Sequence, residues 1–144
     1  MFQKQREQVD RGKGSGYSKC LEPLAREMRK YRSYDELLPK RIRNSEIRDV
    51  VVFGSSVKGG TYHDIDVAVF LNTHDRAFKK YRMDIRRVGK LEYHIFRDDE
   101  EGRAIFDAML EMKTETGKGI GVRIRSLEDF YRLLKSKPVQ NPAQ

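Results

Sequence analysis

Two aspartates separated by one residue head an otherwise apolar stretch of the sequence, "DIDVAVF", residues 64–70. Side chains alternate in direction along a β-strand, so Asp64 and Asp66 would project from the same face. Two carboxylates so close together repel each other when both are ionised. A divalent cation relieves this repulsion, and Mg²⁺ commonly takes one or two protein carboxylates together with water and substrate phosphates. The pair therefore predicts a magnesium site that acts on a phosphate-bearing substrate.

A Gly-Ser turn ends the apolar run that precedes the aspartates. Gly54 lets the chain leave the first strand sharply, and Ser55 begins a short helix or turn whose backbone N–H groups favour a phosphate. The hydroxyl groups of Ser55 and Ser56 are further hydrogen-bond donors. Lys58 either supplies a positive charge or is simply solvated. We expect these four residues to bind the phosphates of the substrate.

A third carboxylate would complete a two-metal site, in which the metals lie about 3.5–4 Å apart. Glu92 is the candidate, because it lies in the strand-like stretch "KLEYHIF", residues 90–96, and shares a face with His94. The alternative is an edge strand that leaves both side chains in water. We expect Glu92 to join Asp64 and Asp66 as a catalytic and metal-binding residue.

The elements that must position these residues follow from the spacing of apolar residues. The pattern predicts the order helix, helix, strand, strand, helix, strand, helix, strand, helix. These elements fit a single α/β (α+β) domain, in which a small mixed β-sheet is packed with helices. The predicted helices cover residues 21–31, 34–44, 74–89, 98–113 and 127–134, and the predicted strands cover residues 49–53, 63–72, 90–96 and 117–125.

The predicted helix at residues 74–89 combines an apolar stripe with a basic face. The stripe consists of Phe78, Tyr81, Ile85 and Val88, and the basic face consists of Lys79, Lys80, Arg82, Arg86 and Arg87. Such a face either binds RNA or is a solvated surface. Tyr34, Leu38 and Ile42 are expected to share a face of the helix at residues 34–44, which Pro39 kinks or splits.

Composition bounds the partners and the compartment. The 144 residues carry a formal net charge of +8 and 36% charged side chains, which favours polyanions such as nucleotides and nucleic acid. A domain that is simply rich in lysine, arginine and glutamate is the alternative. A single cysteine, Cys20, and the absence of a signal-like or membrane-spanning run in the sequence lead us to expect a cytoplasmic protein without internal disulfides.

The stretch "FGSSVKGGTYHDIDVAV" resembles the polymerase-beta-like nucleotidyltransferase superfamily, and more narrowly its minimal nucleotidyltransferases. The shared pattern is a hydrophobic strand, Gly-Ser, a basic residue with Gly, and Asp-x-Asp in a second strand. The order of elements extends the similarity from about Leu21 to Leu134. The resemblance implies a nucleotidyltransferase fold, a two-metal Mg²⁺ site and a nucleoside triphosphate, expected to be ATP. Asp64, Asp66 and Glu92 would then bind the metals, and Gly54 with Ser55 would hold phosphates.

The implied reaction moves a nucleoside monophosphate to a hydroxyl of a protein, an RNA or a small molecule. An alternative is a catalytically degenerate member with the same fold, which acts as an antitoxin-like or RNA-binding protein beside a helical partner protein. A weaker alternative interprets Asp-x-Asp as the metal motif of a glycosyltransferase, in which the Gly-Ser turn has no role. Residues 1–18 are expected to form a flexible basic arm, residues 19–137 a nucleotidyltransferase-like domain, and residues 138–144 a tail.

Overall fold

The computed structural model describes residues 6–7, 17–72, 83–114 and 120–136. Its strands are β1 (Arg6–Glu7), β2 (Ile47–Phe53), β3 (Ile65–Leu71), β4 (Met83–Val88), β5 (Leu91–Arg97) and β6 (Gly121–Ile124). Its α-helices are α1 (Glu22–Met28), α2 (Ser55–Lys58), α3 (Glu100–Thr114) and α4 (Leu127–Ser136), and short 3₁₀ helices cover Lys19–Leu21, Tyr34–Leu37 and Asn44–Glu46. The strands form one mixed sheet in the spatial order β1-β6-β2-β3-β5-β4. The predicted α/β (α+β) class is therefore confirmed.

The centre of the sheet is β3, which pairs antiparallel with β2 and parallel with β5. Runs of β-branched and aromatic residues favour strands that are buried on both faces. Antiparallel pairing places Phe53, at the end of β2, beside Asp66. Parallel pairing places Glu92 beside Asp66 from the other side. The sheet thereby brings together three segments that are far apart in the sequence.

Helices cover both faces of the sheet. On one face α1, α2 and α4 pack against aliphatic residues such as Val52 and Val67. On the other face α3 contributes Phe106 and Leu110 to a cluster that includes Phe70. The apolar stripe of α4 is buried, and the helix has an N-terminal cap: the backbone N–H of Asp129 donates to Ser126 Oγ at 3.0 Å. The buried residues of that stripe are Leu127, Phe130, Tyr131 and Leu134.

The prediction of a helix at residues 74–89 is wrong for its C-terminal part, because residues 83–88 form the strand β4. A two-residue turn at Gly89 and Lys90 folds β4 back along β5, and the pairing runs from Met83 beside Phe96 to Val88 beside Leu91. Backbone hydrogen bonds to β5 replace those of a helix. The remaining residues of the predicted stripe and basic face, Phe78, Lys79, Lys80, Tyr81 and Arg82, lie outside the described residues.

The side chains of β4 also differ from the prediction. Ile85 is 47% exposed and is not a core residue, whereas Val88 packs at the edge of the core. Arg86 and Arg87 are consecutive strand residues, so they point to opposite faces instead of sharing one basic surface. Each forms an ion pair with a carboxylate. The predicted basic helix face, for which RNA binding and a solvated surface were the two alternatives, therefore loses these two members.

The helix predicted at residues 34–44 is not continuous, and the interruption lies at Pro39, where a kink or split was expected. The 3₁₀ helix Tyr34–Leu37 ends before Leu38, whose backbone is extended with ψ 137°. Proline disfavours the helical region for the residue that precedes it, so Pro39 accounts for this end. Of the residues expected to share one helix face, Ile42 is buried and Leu38 is half-buried, whereas the neighbouring Leu37 is fully buried.

Two further observations concern the ends of the chain and the helices. Arg6–Glu7 lie within the segment expected to be a flexible arm, and they pair in parallel with Val122 and Arg123 of β6. The rest of residues 1–16 and the predicted tail at residues 138–144 lie outside the described residues. Among the helices of the described ranges, none combines the length and apolar character that crossing a membrane requires.

Candidate metal and phosphate site

Two carboxylates and one imidazole meet where β3 and β5 begin. Asp66 and Glu92 are register partners on the two parallel strands, and His94 lies two residues further along β5. Alternation directs all three side chains to the same face of the sheet. One ligand atom from each lies within 4.8 Å of the others. This spacing and this donor set fit a single divalent cation, since such ions bind carboxylate oxygens and imidazole nitrogens.

His94 is the most buried member of the cluster, with 8% of its surface exposed. Its Nε2 atom lies 3.1 Å from Asp66 Oδ1, and its ring packs edge-on against Phe53 with centroids 5.1 Å apart. Within the described part of the chain, Nδ1 is buried and has no hydrogen-bond partner. The orientation of the ring therefore depends on Asp66 and on the aromatic packing.

Asp64 is tied to the cluster through an arginine. It lies one residue before β3, and its Oδ1 accepts a hydrogen bond from Arg87 Nη1 at 2.6 Å. The other terminal nitrogen of Arg87 lies 3.6 Å from Glu92 Oε2. The hydrogen bond from Arg87 lowers the pKa of Asp64 below its ordinary value. The structure thus brings Asp66 and Glu92 together directly. Asp64 lies beside them, and the guanidinium of Arg87 lies between Asp64 and Glu92.

The Gly-Ser turn lies directly against this cluster. Gly54 has φ 89° and ψ −163°, a conformation essentially restricted to glycine. A Cβ atom at this position would collide with Asp66 Oδ2. Ser55 follows as the first residue of α2. The absence of a side chain at Gly54 therefore lets the turn approach the carboxylate closely.

The other residues expected to bind phosphates differ in exposure. Ser55 is half-buried and Lys58 is exposed at the last residue of α2. Ser56 is 3% exposed, and its Oγ has no hydrogen-bond partner among the described residues. Of the four expected residues, Gly54 thus lies against the cluster itself, and the other three belong to the short helix α2 that follows it.

Sequence reasoning did not assign a role to His94 or to the contact of Arg87. The signal for His94 was its shared face with Glu92, which alternation along β5 already implied. The signal for Arg87 was the Gly89-Lys90 pair between two strand-like runs, a spacing typical of a hairpin. A hairpin there places Arg87 beside Glu92 in the pairing of β4 with β5.

Comparison with known proteins gives one match. A family model described as "Nucleotidyltransferase domain" matches residues 35–131, more than half of the chain and a range that contains every residue of the cluster and of the Gly-Ser turn. Comparison with curated proteins and with solved structures gave no match.

Proposed function

The chain belongs to the nucleotidyltransferase domain family, and on this premise we propose that it is a Mg²⁺-dependent enzyme that transfers a nucleoside monophosphate from a nucleoside triphosphate to a hydroxyl group. ATP is the proposed donor, and the hydroxyl belongs to a protein, an RNA or a small molecule in the cytoplasm. The observation that carries the proposal is the placement of Asp66 and Glu92 side by side, with the Gly54 turn against Asp66. Carboxylates beside a glycine turn suit a metal-bound triphosphate.

We assign the metal to Asp66 and Glu92, with His94 as an additional nitrogen ligand. We also assign it to Asp64, whose carboxylate is linked to Glu92 through Arg87. When bound, a divalent cation neutralises charge on the phosphate oxygens and lowers the barrier to displacement. Carboxylate oxygens suit Mg²⁺ and Mn²⁺, whereas imidazole favours softer ions of the first transition row. The two carboxylates therefore suit Mg²⁺ and Mn²⁺ equally, and the imidazole of His94 makes Mn²⁺ at least as suitable as Mg²⁺.

The chain's own residues then orient the reactants. Gly54, Ser55, Ser56 and Lys58 bind the phosphates. The oxygen of the acceptor hydroxyl forms a bond to the α-phosphorus while the bond from that phosphorus to the β-bridging oxygen breaks, and pyrophosphate leaves with the electron pair. We assign the hydroxyl proton to Glu92, whose side chain is 23% exposed against 16% for its register partner Asp66. Asp64 is 39% exposed, but its Oδ1 already accepts a hydrogen bond from Arg87. Positioning and charge stabilisation provide most of the rate enhancement.

The test is transfer of α-labelled ATP with Mg²⁺ or Mn²⁺, with the protein itself and total RNA as acceptors and pyrophosphate release as a second readout. An Asp64→Asn/Asp66→Asn double variant should lose at least about a hundredfold of the rate, because charge stabilisation at the reacting phosphate is a large part of catalysis. Asp84→Asn is the matched control, because Asp84 pairs with Arg86 and lies outside the cluster. Equal rates in the wild type and the double variant would refute the assigned site.

A further inference from the structure

Arg87 makes an unusual pair of contacts for an exposed arginine. Its guanidinium donates to Asp64 Oδ1 at 2.6 Å and lies 3.6 Å from Glu92 Oε2, while half of its side chain remains exposed to solvent. Both carboxylates belong to the proposed metal site. A positive charge therefore stands between two groups that a divalent cation would also bind.

A guanidinium and a metal ion at the same carboxylates repel each other and compete for the same oxygens. Exposed arginine–carboxylate pairs are weak, so this one is readily exchanged. Arginine binds phosphate through two parallel hydrogen bonds, which are stronger than neutral ones. A nucleoside triphosphate bound with the metal would offer the displaced guanidinium such a partner.

We propose that Arg87 is a nucleotide-binding residue that shields Asp64 and Glu92 in the free protein and moves to the triphosphate when metal and nucleotide bind together. This inference rests on the proposed nucleotidyltransferase function and deepens it. It makes metal binding depend on the nucleotide: the metal alone must compete with Arg87, whereas metal and triphosphate together do not.

The neighbouring Arg86 forms an ion pair on the same strand that does not involve the proposed site. Its Nε and Nη2 atoms contact Asp84 Oδ2 at 2.9 and 2.7 Å, within β4 itself. Asp84 belongs neither to the cluster nor to the Gly-Ser turn. Since the two arginines share strand, charge and partial exposure, Arg86→Gln is a matched control for Arg87→Gln.

The experiment is calorimetric titration of the wild type, Arg87→Gln and Arg86→Gln, first with Mn²⁺ alone and then with the non-hydrolysable analogue α,β-methylene-ATP in the presence of Mn²⁺. Loss of a weak competing ion pair should raise the affinity of Arg87→Gln for Mn²⁺ about two- to fivefold. Loss of charge-assisted bonds to phosphate should lower its affinity for the analogue about 10- to 100-fold. Arg86→Gln should match the wild type in both titrations, and far-UV circular dichroism should confirm that all three proteins are folded.

Opposite signs for the two ligands are the signature of the exchange. An unchanged affinity for the analogue in Arg87→Gln overturns the inference and leaves the proposed function standing. A reduced affinity for Mn²⁺ in the same variant also overturns it, since Arg87 would then only support the carboxylates. A wild type that binds no analogue at all contradicts the proposed function and this inference with it.

Discussion

Replacing Gly54 by alanine tests whether the close approach of the Gly-Ser turn to Asp66 matters for metal binding. The substitution changes two things at once. It places a side chain at φ 89° and ψ −163°, and it puts a Cβ atom into the space taken by Asp66 Oδ2. The first change strains the backbone, and the second displaces a carboxylate of the proposed metal site.

Gly59 separates these two effects. Its backbone has φ 99° and ψ 164°, close to that of Gly54, but a Cβ atom there meets no atom of the described residues within 4 Å. The strain of a residue with a side chain in this region is about 1–3 kcal/mol, so both alanine variants should lose about that much folding free energy. Only Gly54→Ala should also move Asp66. Loss of correct ligand orientation costs about 10- to 100-fold in metal affinity, which is the expected difference between the two variants.

The assay is urea denaturation followed by calorimetric titration with Mn²⁺ on both variants under conditions where each remains folded. Gly59→Ala should bind Mn²⁺ as the wild type does, and Gly54→Ala should bind it at least about tenfold more weakly. Wild-type affinity in Gly54→Ala would show that Asp66 Oδ2 is not needed for the metal. Equal loss in the two variants would show that strain in the turn, and not the collision, disturbs the site.

Three further substitutions test other contacts. His94→Gln should weaken binding of Co²⁺ about tenfold or more and of Mg²⁺ less, because imidazole suits transition metals; absorption of bound Co²⁺ measures this. Burial acts to raise the pKa of Glu27, but hydrogen bonds from the Lys90 amide and neighbouring groups outweigh it and lower the pKa. The charged Glu27 carboxylate therefore stabilises the fold above the unfolded pKa of about 4.3, and this stabilisation is lost as the pH falls through the lower folded pKa. Glu27→Gln should cost about 1–3 kcal/mol of folding free energy at pH 7 and less at pH 3. Tyr93→Phe removes a 2.7 Å hydrogen bond to the carbonyl of Leu37 and should cost about 1–2 kcal/mol in denaturation.

Each of these has a contradicting result. An unchanged Co²⁺ spectrum in His94→Gln would exclude a nitrogen ligand from that residue. A constant difference between wild type and Glu27→Gln from pH 7 to pH 3 would mean that the carboxylate gains nothing from its charge. A Tyr93→Phe variant as stable as the wild type would mean that water replaces the lost hydroxyl, although Tyr93 is only 1% exposed.

The strands of the sheet's centre were predictable because their apolar runs are unambiguous. Alternation along two such runs is enough to direct Asp66, Glu92 and His94 to defined faces of their strands. The apolar runs do not indicate which residues of two neighbouring strands pair with each other. Only the parallel pairing of β3 with β5 sets Glu92 beside Asp66, and this pairing depends on packing by residues distant in sequence.

The error at residues 83–88 has a specific cause. Ile85 and Val88 have helical spacing with the apolar residues that precede them, and adjacent charged residues hide the alternation of a strand. β4 is an edge strand of the described sheet and its Ile85 is 47% exposed, so hydrophobic burial does not dictate the pattern of this strand. The hairpin turn at Gly89, with φ 58°, was the more reliable signal.

The turn at Gly89 and Lys90 separates two properties of the site that can change independently during evolution. Parallel pairing of β3 with β5 positions the proposed metal ligands, while the hairpin alone positions Arg87. One residue inserted in this turn would shift β4 by one register position and direct a different side chain to Glu92. The ligands would be inherited unchanged, and the charge beside them would be new. On the exchange that we propose for Arg87, the length of this hairpin would adjust how strongly a metal alone is held.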